Sequence, residues 1–274
     1  MAIITISRQI ASYGDETALE LAKSLGYEFI DKKDLEKDLL DKGISKESLA
    51  HYDERKPGFF ESDTVAHCGT TTEGQYICTL TLTDVHSGWT ENRALLNKAQ
   101  RWVKEATEDV KIHLPFAMKG IDSDNGGEFK NIQLLQWCEV NHITFTRSRS
   151  YKKNDNCFVE QKNDSVVRRI VGYYRFEGEA ARVVLAELYE SYNKLVNFFF
   201  PSMKIIAKER IDAKVIKKYD EAKSPYRRLM ESKDLSPAEK EELRRRKDSL
   251  DLQLLLEKTQ QLQHKLISMA VQPS

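Results

Sequence analysis

The stretch PGFFESDTVAH at residues 57–67, together with QYICTLTLT at residues 75–83, decides the fold of this chain. Apolar and polar residues alternate in both stretches, and many of the side chains are β-branched, which is typical of strands. The threonine-rich residues 69–74, bounded by two glycines, favour a turn between them. The two stretches therefore predict a hairpin whose first strand carries Asp63.

The residues that follow alternate between strand and helix patterns. The pattern predicts a short strand at 87–90, an amphipathic helix at 94–106, a buried strand at 115–121, a helix at 128–140 and a strand at 143–146. A long helix carrying an acidic residue comes next. This order predicts an α/β fold with a mixed five-stranded sheet and flanking helices, and it predicts a site at the strand ends.

Three acidic residues on three separate elements have contexts suited to binding divalent metal. Asp63 lies in the first strand, Asp124 in IDSDNGGEF at 121–129, and Glu160 in NCFVEQKN at 156–163. Mg²⁺ and Mn²⁺ prefer oxygen ligands, and two such ions can activate an attacking oxygen and stabilise a leaving one at a phosphodiester. Each acid alone is a weak signal, because the chain has 43 acidic residues and many lie on strand ends or solvated faces. Together they predict a two-metal phosphoryl-transfer site.

Other polar residues near these acids have simpler explanations. Asp122 could share a strand face with Asp124 and contact a metal ion, and Asp84, which follows the second predicted strand, could have a structural or supporting role. His67 follows Asp63 in the same strand, and we interpret it as structural rather than as a catalytic base. None of these residues replaces the three acids as the predicted centre.

Residues from about 57 to 230 resemble the catalytic region of integrase-type DDE transposases, which have a ribonuclease H-like fold. The matching stretches are PGFFESDTVAH, SDNGGEF at 123–129, FTRSR at 145–149, KKND at 152–155, VEQKN at 159–163 and VRR at 167–169, and 35 residues separate Asp124 from Glu160. The resemblance implies that Asp63, Asp124 and Glu160 are the catalytic acids and bind Mg²⁺ or Mn²⁺. It also implies DNA strand cleavage and strand transfer without a covalent enzyme intermediate, with transposon ends and target DNA as partners.

The distribution of charge independently favours a nucleic-acid partner. Residues 146–274 contain 27 basic and 19 acidic side chains, whereas the rest of the chain is net acidic. Basic residues beside an acidic metal site can draw phosphates towards it. The residues predicted to bind DNA are Arg147, Arg149, Lys152, Lys153, Lys162, Asn163, Arg168 and Arg169. The alternative is an ordinary solvated helix surface.

The first 56 residues have a different pattern, which predicts a partial βαβ segment with a helix at 16–25. This segment resembles the start of bacterial cytidylate kinase-like proteins through ITISRQ at 4–9, GDE at 14–16 and LGYEFID at 25–31. A phosphate-binding loop needs closely placed glycines and usually a Lys before Ser or Thr, and ASYG at 11–14 offers one glycine and no Lys. We therefore interpret residues 1–56 as a truncated fragment, and nucleotide phosphorylation is the alternative function.

The sequence thus divides into a kinase-like fragment at 1–56, a catalytic core at 57–200 and a basic helical region at 201–274. Residues 179–200 are predicted to form a helix packed on the sheet, and a helix beginning at Ser236 is predicted to continue to Met269. That last helix could pair subunits in a homo-oligomer or brace DNA, and a solvated tail is equally consistent. Residues 1–56 show no helix-turn-helix pair of the kind that normally precedes such a catalytic core, so specific recognition of transposon ends is not expected and the activity is expected to be defective. A chain that binds DNA without catalysis is a further alternative.

The remaining features favour a cytoplasmic protein. No apolar stretch approaches the roughly 20 residues that a membrane helix needs, and the N-terminus becomes polar too early for a secretory signal. The four cysteines are scattered without a C-x-x-C pair, which favours free thiols over disulfides or zinc.

Overall fold

A computed structural model describes residues 14–26, 56–123, 132–147, 157–211 and 214–271. The chain divides into two compact units, Met1–His51 with Met203–Glu221 and Tyr52–Ser202 with Ala222–Ser274. The first unit contains helix α1 (Gly14–Leu25) and a hairpin of strands β6 (Ile205–Ile211) and β7 (Lys214–Tyr219). The helix predicted at 16–25 is confirmed, and the residue after its last is Gly26, whose φ of 67° suits glycine.

The second unit is built on a mixed five-stranded sheet, as the sequence predicts. Its strands are β1 (Phe59–Ala66), β2 (Cys78–Asp84), β3 (Thr90–Leu95), β4 (Gly120–Ser123) and β5 (Thr144–Arg147). The strand order is β3-β2-β1-β4-β5. Strands β1, β2 and β3 pair antiparallel, whereas β4 pairs parallel with β1 and with β5. Strand β1, which carries Asp63, is therefore the central strand.

Helices cover both sides of this sheet. They are α2 (Gln100–His113), α3 (Ile132–Val140), α4 (Cys157–Lys162), α5 (Arg169–Val171), α6 (Gly178–Phe198), α7 (Pro225–Glu231), α8 (Pro237–Asp248) and α9 (Leu252–Ser268). A π-helical segment, Asn163–Arg168, joins α4 to α5. In the described part of the chain, none of the helices has the length and apolar character needed to cross a membrane.

The two faces of the sheet differ in chemistry. Phe60, Leu80, Leu82 and Ile121 share one face by strand register, and they lie in an apolar core that includes residues of α2 and α3. We call this the apolar face. The opposite polar face carries Glu61, Asp63, Thr79, Thr81, Thr83, Asn92 and Asp122. A second apolar cluster, which includes residues of α6 and α9, packs at one end of the polar face around Val65.

Helix α6 is attached to the edge strand β3 by asparagine side chains. Asn197 Nδ2 donates to Thr90 O and Asn197 Oδ1 accepts from Thr90 N, both at 2.8 Å. Asn193 Oδ1 accepts from Asn92 Nδ2 at 2.8 Å, and Asn92 Oδ1 accepts from the Thr81 hydroxyl at 3.1 Å. Near β3, hydrogen bonds therefore hold α6 over the polar face.

Several element boundaries differ from the predicted ones. The third strand is β3 rather than 87–90, because residues 85–89 turn around Asp84, whose Oδ2 accepts from both the N–H and the hydroxyl of Ser87. The next helix begins at Gln100 rather than 94, because Ala94 and Leu95 pair with β2. The fourth strand begins at Gly120 rather than 115.

The C-terminal region also differs in detail from the prediction. The helix start at Ser236 is confirmed, and Ser236 and Glu239 cap each other reciprocally. The helix does not continue to Met269 without interruption, since α8 ends at Asp248 and α9 begins at Leu252. Strands β6 and β7 were not part of the prediction. The strands predicted at 3–6 and 27–31 lie outside the described residues.

Candidate metal centre

Asp63 lies on the polar face in the middle of the central strand. Its side chain is half-buried. Oδ1 accepts from the Thr64 N–H at 2.7 Å, and Oδ2 accepts from Asn163 Nδ2 at 2.7 Å. The carboxylate is thus held by its own strand and by the π-helical segment that follows α4.

Helix α4, which carries Glu160, is docked on β1 through a second carboxylate of that strand. Glu61 is 2% exposed, and its Oε2 accepts from the N–H groups of Phe158 and Val159 at 2.8 Å each. These N–H groups belong to the first turn of α4, where no intrahelical acceptor is available. Glu160 lies one residue further along and its side chain is exposed. Helix α4 therefore holds Glu160 beside the strand of Asp63 while leaving its carboxylate open to solvent.

The side-chain oxygen of Asn163 is relevant to metal binding. Its Oδ1 is shielded from solvent and has no hydrogen-bond partner among the described residues. The amide orientation is fixed chemically, because the Nδ2 group must face the Asp63 carboxylate, which can only accept. A buried oxygen without a partner calls for an explanation such as an ion or water. Together with the carboxylates, it fits the oxygen ligands that Mg²⁺ and Mn²⁺ prefer.

The second predicted ligand, Asp124, lies outside the described residues. Ser123, which precedes it, is the last residue of β4 and pairs with Ser62, the residue before Asp63. Across the described ranges, no group of three His, Cys, Asp or Glu side chains is placed to bind a metal ion. That observation does not include Asp124, so the predicted triad is not tested by it.

The predicted DNA-binding residues fall into two groups. The side chains of Arg147, Arg149, Lys152 and Lys153 are not among those described. Lys162 and Asn163 are half-buried, and Arg169 is exposed. Arg168 contacts the protein itself: its guanidinium donates to Ala66 O at 3.0 Å and Gly172 O at 3.2 Å, and it lies 4.7 Å from the Tyr173 ring centroid. Arg168 therefore ties the end of β1 to the turn after α5.

The structural explanation of Asp84 and His67 is confirmed. Asp84 accepts from Gly58 N at 2.7 Å and from Ser87, and burial raises the pKa of its carboxyl although these hydrogen bonds oppose the shift. Burial, and next the cation of Arg168, lowers the pKa of His67 to about 3. Its Nε2 is 2.7 Å from the Thr79 hydroxyl, which is 2.6 Å from the Tyr189 hydroxyl. His67 is thus a neutral member of a buried hydrogen-bonded chain.

A further acidic residue beside the site, Asp122, has a hydrogen-bond partner within the protein. Asp122 lies on the polar face and is 8% exposed, and its Oδ1 accepts from the Thr146 hydroxyl at 2.6 Å. The sequence analysis did not identify Glu61 or the role of Asn163 in holding Asp63. A signal was present for Glu61, because a residue two positions from Asp63 on a strand must share its face.

A family model and a curated relative each match part of the chain. The model of the cytidylate kinase-like family matches residues 3–110. This match begins in the segment where the sequence resembles such proteins, and it extends beyond the predicted boundary at residue 56, through β1–β3 and into α2.

The uncharacterized protein y4rM of Sinorhizobium fredii (strain NBRC 101917 / NGR234) is 37% identical over 187 residues, which are 68% of this chain and 53% of that protein. The chain thus spans about half the length of this curated relative.

Solved structures similar to the chain include retroviral integrases. The simian T-cell lymphotropic virus intasome, solved with a PP2A regulatory subunit, matches with a TM-score of 0.46 and 13% identity, covering 68% of this chain and 59% of that one. The HTLV-2 integrase catalytic core domain in complex with magnesium matches with a TM-score of 0.40 and 14% identity, covering 55% of this chain and 93% of that one.

Proposed function

We propose that this protein is a DDE-type polynucleotidyl transferase that cleaves DNA strands and joins them, with Asp63, Asp124 and Glu160 holding Mg²⁺ or Mn²⁺. The observation that carries the proposal is the hydrogen bond from Asn163 to Asp63, at 2.7 Å. Residues three apart on a helix lie on the same side. Glu160 therefore shares a side of its helix with the residue that contacts Asp63.

The position of Asp124 in the chain supports the same centre. Asp124 follows Ser123 directly, and adjacent Cα atoms are about 3.8 Å apart. Ser123 is paired with Ser62, and Asp63 follows Ser62 on the neighbouring parallel strand. The place of Asp124 in the sequence, directly after β4, therefore supports a role beside Asp63.

The residues divide the chemistry between them. Two divalent ions, when bound, would activate the attacking oxygen and stabilise the leaving oxygen of the phosphodiester. The three carboxylates would hold these ions, and Asn163 keeps the Asp63 carboxylate in one orientation. The exposed side chain of Glu160 leaves the centre accessible to a long polymer. Basic side chains after β5 and along α4 would bind the backbone phosphates of transposon ends and target DNA.

The test is a strand-cleavage and joining assay on labelled DNA with the full chain and Mn²⁺. Asp63→Asn, Asp124→Asn and Glu160→Gln are each expected to abolish activity and to leave the far-UV circular dichroism spectrum unchanged. Glu179→Gln is the control, because Glu179 is an exposed acid paired with Arg182 at the start of α6. Full activity in Asp124→Asn would refute the proposal.

A second candidate is a nucleotide kinase remnant, which the family match over residues 3–110 favours. A nucleotide-binding chain should unfold at a higher temperature with CMP and ATP, since a ligand that binds only the folded state stabilises it. No shift with either nucleotide would remove this candidate. A third candidate, DNA binding without catalysis, predicts an affinity that falls steeply with salt and survives loss of any of the three carboxylates.

A further inference from the structure

Glu61 is a buried carboxylate that lies outside the proposed set of metal ligands. Burying an ionised carboxylate is costly unless hydrogen bonds replace its lost water. Glu61 receives two such bonds on one oxygen, from Phe158 N and Val159 N at 2.8 Å each. These donors would otherwise be unsatisfied at the start of α4. The contact therefore stabilises the buried carboxylate of β1 and also provides an acceptor for two N–H groups of α4.

Helix α4 depends on contacts of this kind for its position. It has six residues and runs directly into the π-helical segment Asn163–Arg168. Isolated helices shorter than about 12–15 residues are marginal in water. Val159 is buried, and side-chain contacts fix this stretch to β1: Glu61 binds the start of α4, Asp63 binds Asn163, and Arg168 at the far end of the π-helical segment donates to Ala66 O.

The distance between these two contacts is similar along β1 and along the helical stretch that begins with α4. Glu61 and Asp63 lie two residues apart on one face of β1, a rise of about 6.6 Å along a strand. The groups that they bind, Val159 N and the Asn163 side chain, lie four residues apart, a rise of about 6 Å along a helix. Strand and helix therefore run side by side over this distance. Glu160 lies between the two points of attachment.

We propose that Glu61 is a positioning residue that fixes the Glu160 carboxylate relative to Asp63 and thereby sets the affinity of the metal centre. This inference rests on the proposed function, which assigns Glu160 as a ligand. Glu61 acts through the backbone of α4. Partners that orient metal ligands typically contribute 10–100-fold to affinity, so about a tenfold effect is expected.

The contact itself can be tested without any assay of activity. Amide hydrogen exchange at Phe158 and Val159 should accelerate by about tenfold in Glu61→Ala, the factor expected for loss of a charge-assisted hydrogen bond. The matched control is Glu91→Gln, which alters a partly buried carboxylate on the apolar face of the same sheet. Unchanged exchange at both amides in Glu61→Ala would overturn the proposal.

The effect on the metal centre is tested by Mn²⁺ binding and by the Mn²⁺ dependence of DNA cleavage. Glu61→Gln should raise the half-saturating Mn²⁺ concentration about tenfold, and high Mn²⁺ should restore cleavage. Glu160→Gln should not be restored. If Glu61→Gln fails to fold, Glu61→Asp is read in the same way, because it keeps the charge and loses the reach.

The two proposals fail differently. If the wild-type protein does not cleave or join DNA, the proposed function fails, while hydrogen exchange and Mn²⁺ binding still decide the role of Glu61. If Glu61→Gln binds Mn²⁺ as the wild type does, the role of Glu61 is refuted even where the wild type is active.

Discussion

The two faces of the central sheet are both buried, but they are stabilised in different ways. On the apolar face, Leu80 and Leu82 are completely buried in a core with α2 and α3. On the polar face, Thr79, Thr81 and Thr83 are no more than 1% exposed, yet each has a hydrogen-bond partner. Alternation along a strand usually separates a buried face from a solvated one. Here alternation separates a face that packs against apolar helices from a face whose buried polar side chains form specific hydrogen bonds.

This difference implies different tolerances to substitution. An apolar core accepts exchanges that conserve volume, whereas a buried polar group needs its own partner in place. The candidate metal centre lies on the face where placement is most constrained. Changes on the polar face should therefore affect function first, and changes on the apolar face should affect stability first.

The largest expected effect separates function from stability on the polar face. Asp63→Ala should reduce Mn²⁺-dependent DNA cleavage below detection, because it removes a proposed metal ligand. Its unfolding temperature should stay close to that of the wild type, since Asp63 is only half-buried. Activity assays and thermal unfolding on the same preparation check this. Retained cleavage by Asp63→Ala would contradict the assignment of Asp63 as a metal ligand.

The next effect is expected on the apolar face. Leu80→Ala removes a fully buried side chain from the core and should lower the free energy of unfolding by about 2–5 kcal/mol. Cleavage per folded molecule should be retained, because Leu80 points away from Asp63. Urea denaturation measures the first quantity, and assays at low temperature measure the second. A complete loss of activity in folded protein would contradict the separation of the two faces.

A smaller effect is expected where α6 meets the edge strand. Asn197→Ala leaves the N–H and C=O of Thr90 without their partners, and leaving one buried polar group unsatisfied costs about 1–3 kcal/mol. Urea denaturation should therefore show a loss of about that size. Glu187→Ala, at an exposed position on the same helix, is the control and should have little effect.

The last effect concerns pH and is absent near neutrality. The pKa of His67 is about 3 in the folded chain against an ordinary value of 6.5. The unfolded chain therefore binds more protons between these values, so stability is full above about pH 6.5 and falls as the pH drops towards 3. The slope is at most about 1.4 kcal/mol per pH unit. His67→Gln should reduce this slope in urea titrations, and an unchanged slope would assign the acid sensitivity to other groups.

The sequence predicted the parts of the fold that local patterns encode. Alternation identified β1 and β2, and the motif around Asp63 pointed to the candidate metal centre that we propose. It could not show that Glu61 binds the helix of Glu160, because the two lie almost a hundred residues apart and no local periodicity links them. It also misplaced β3, since Trp89 looked like a strand residue, whereas Asp84 draws the chain into a turn.

The amide of Asn197 has a consequence for how the protein behaves in a crowded solution. The outermost strand of a sheet is a ready template on which foreign chains can add and seed aggregates. At Thr90, Asn197 imitates the peptide group of an incoming strand by giving and taking one hydrogen bond. Asn193 donates in the same way to Asn92 O at 3.3 Å, so self-association at this edge would first have to displace both asparagines.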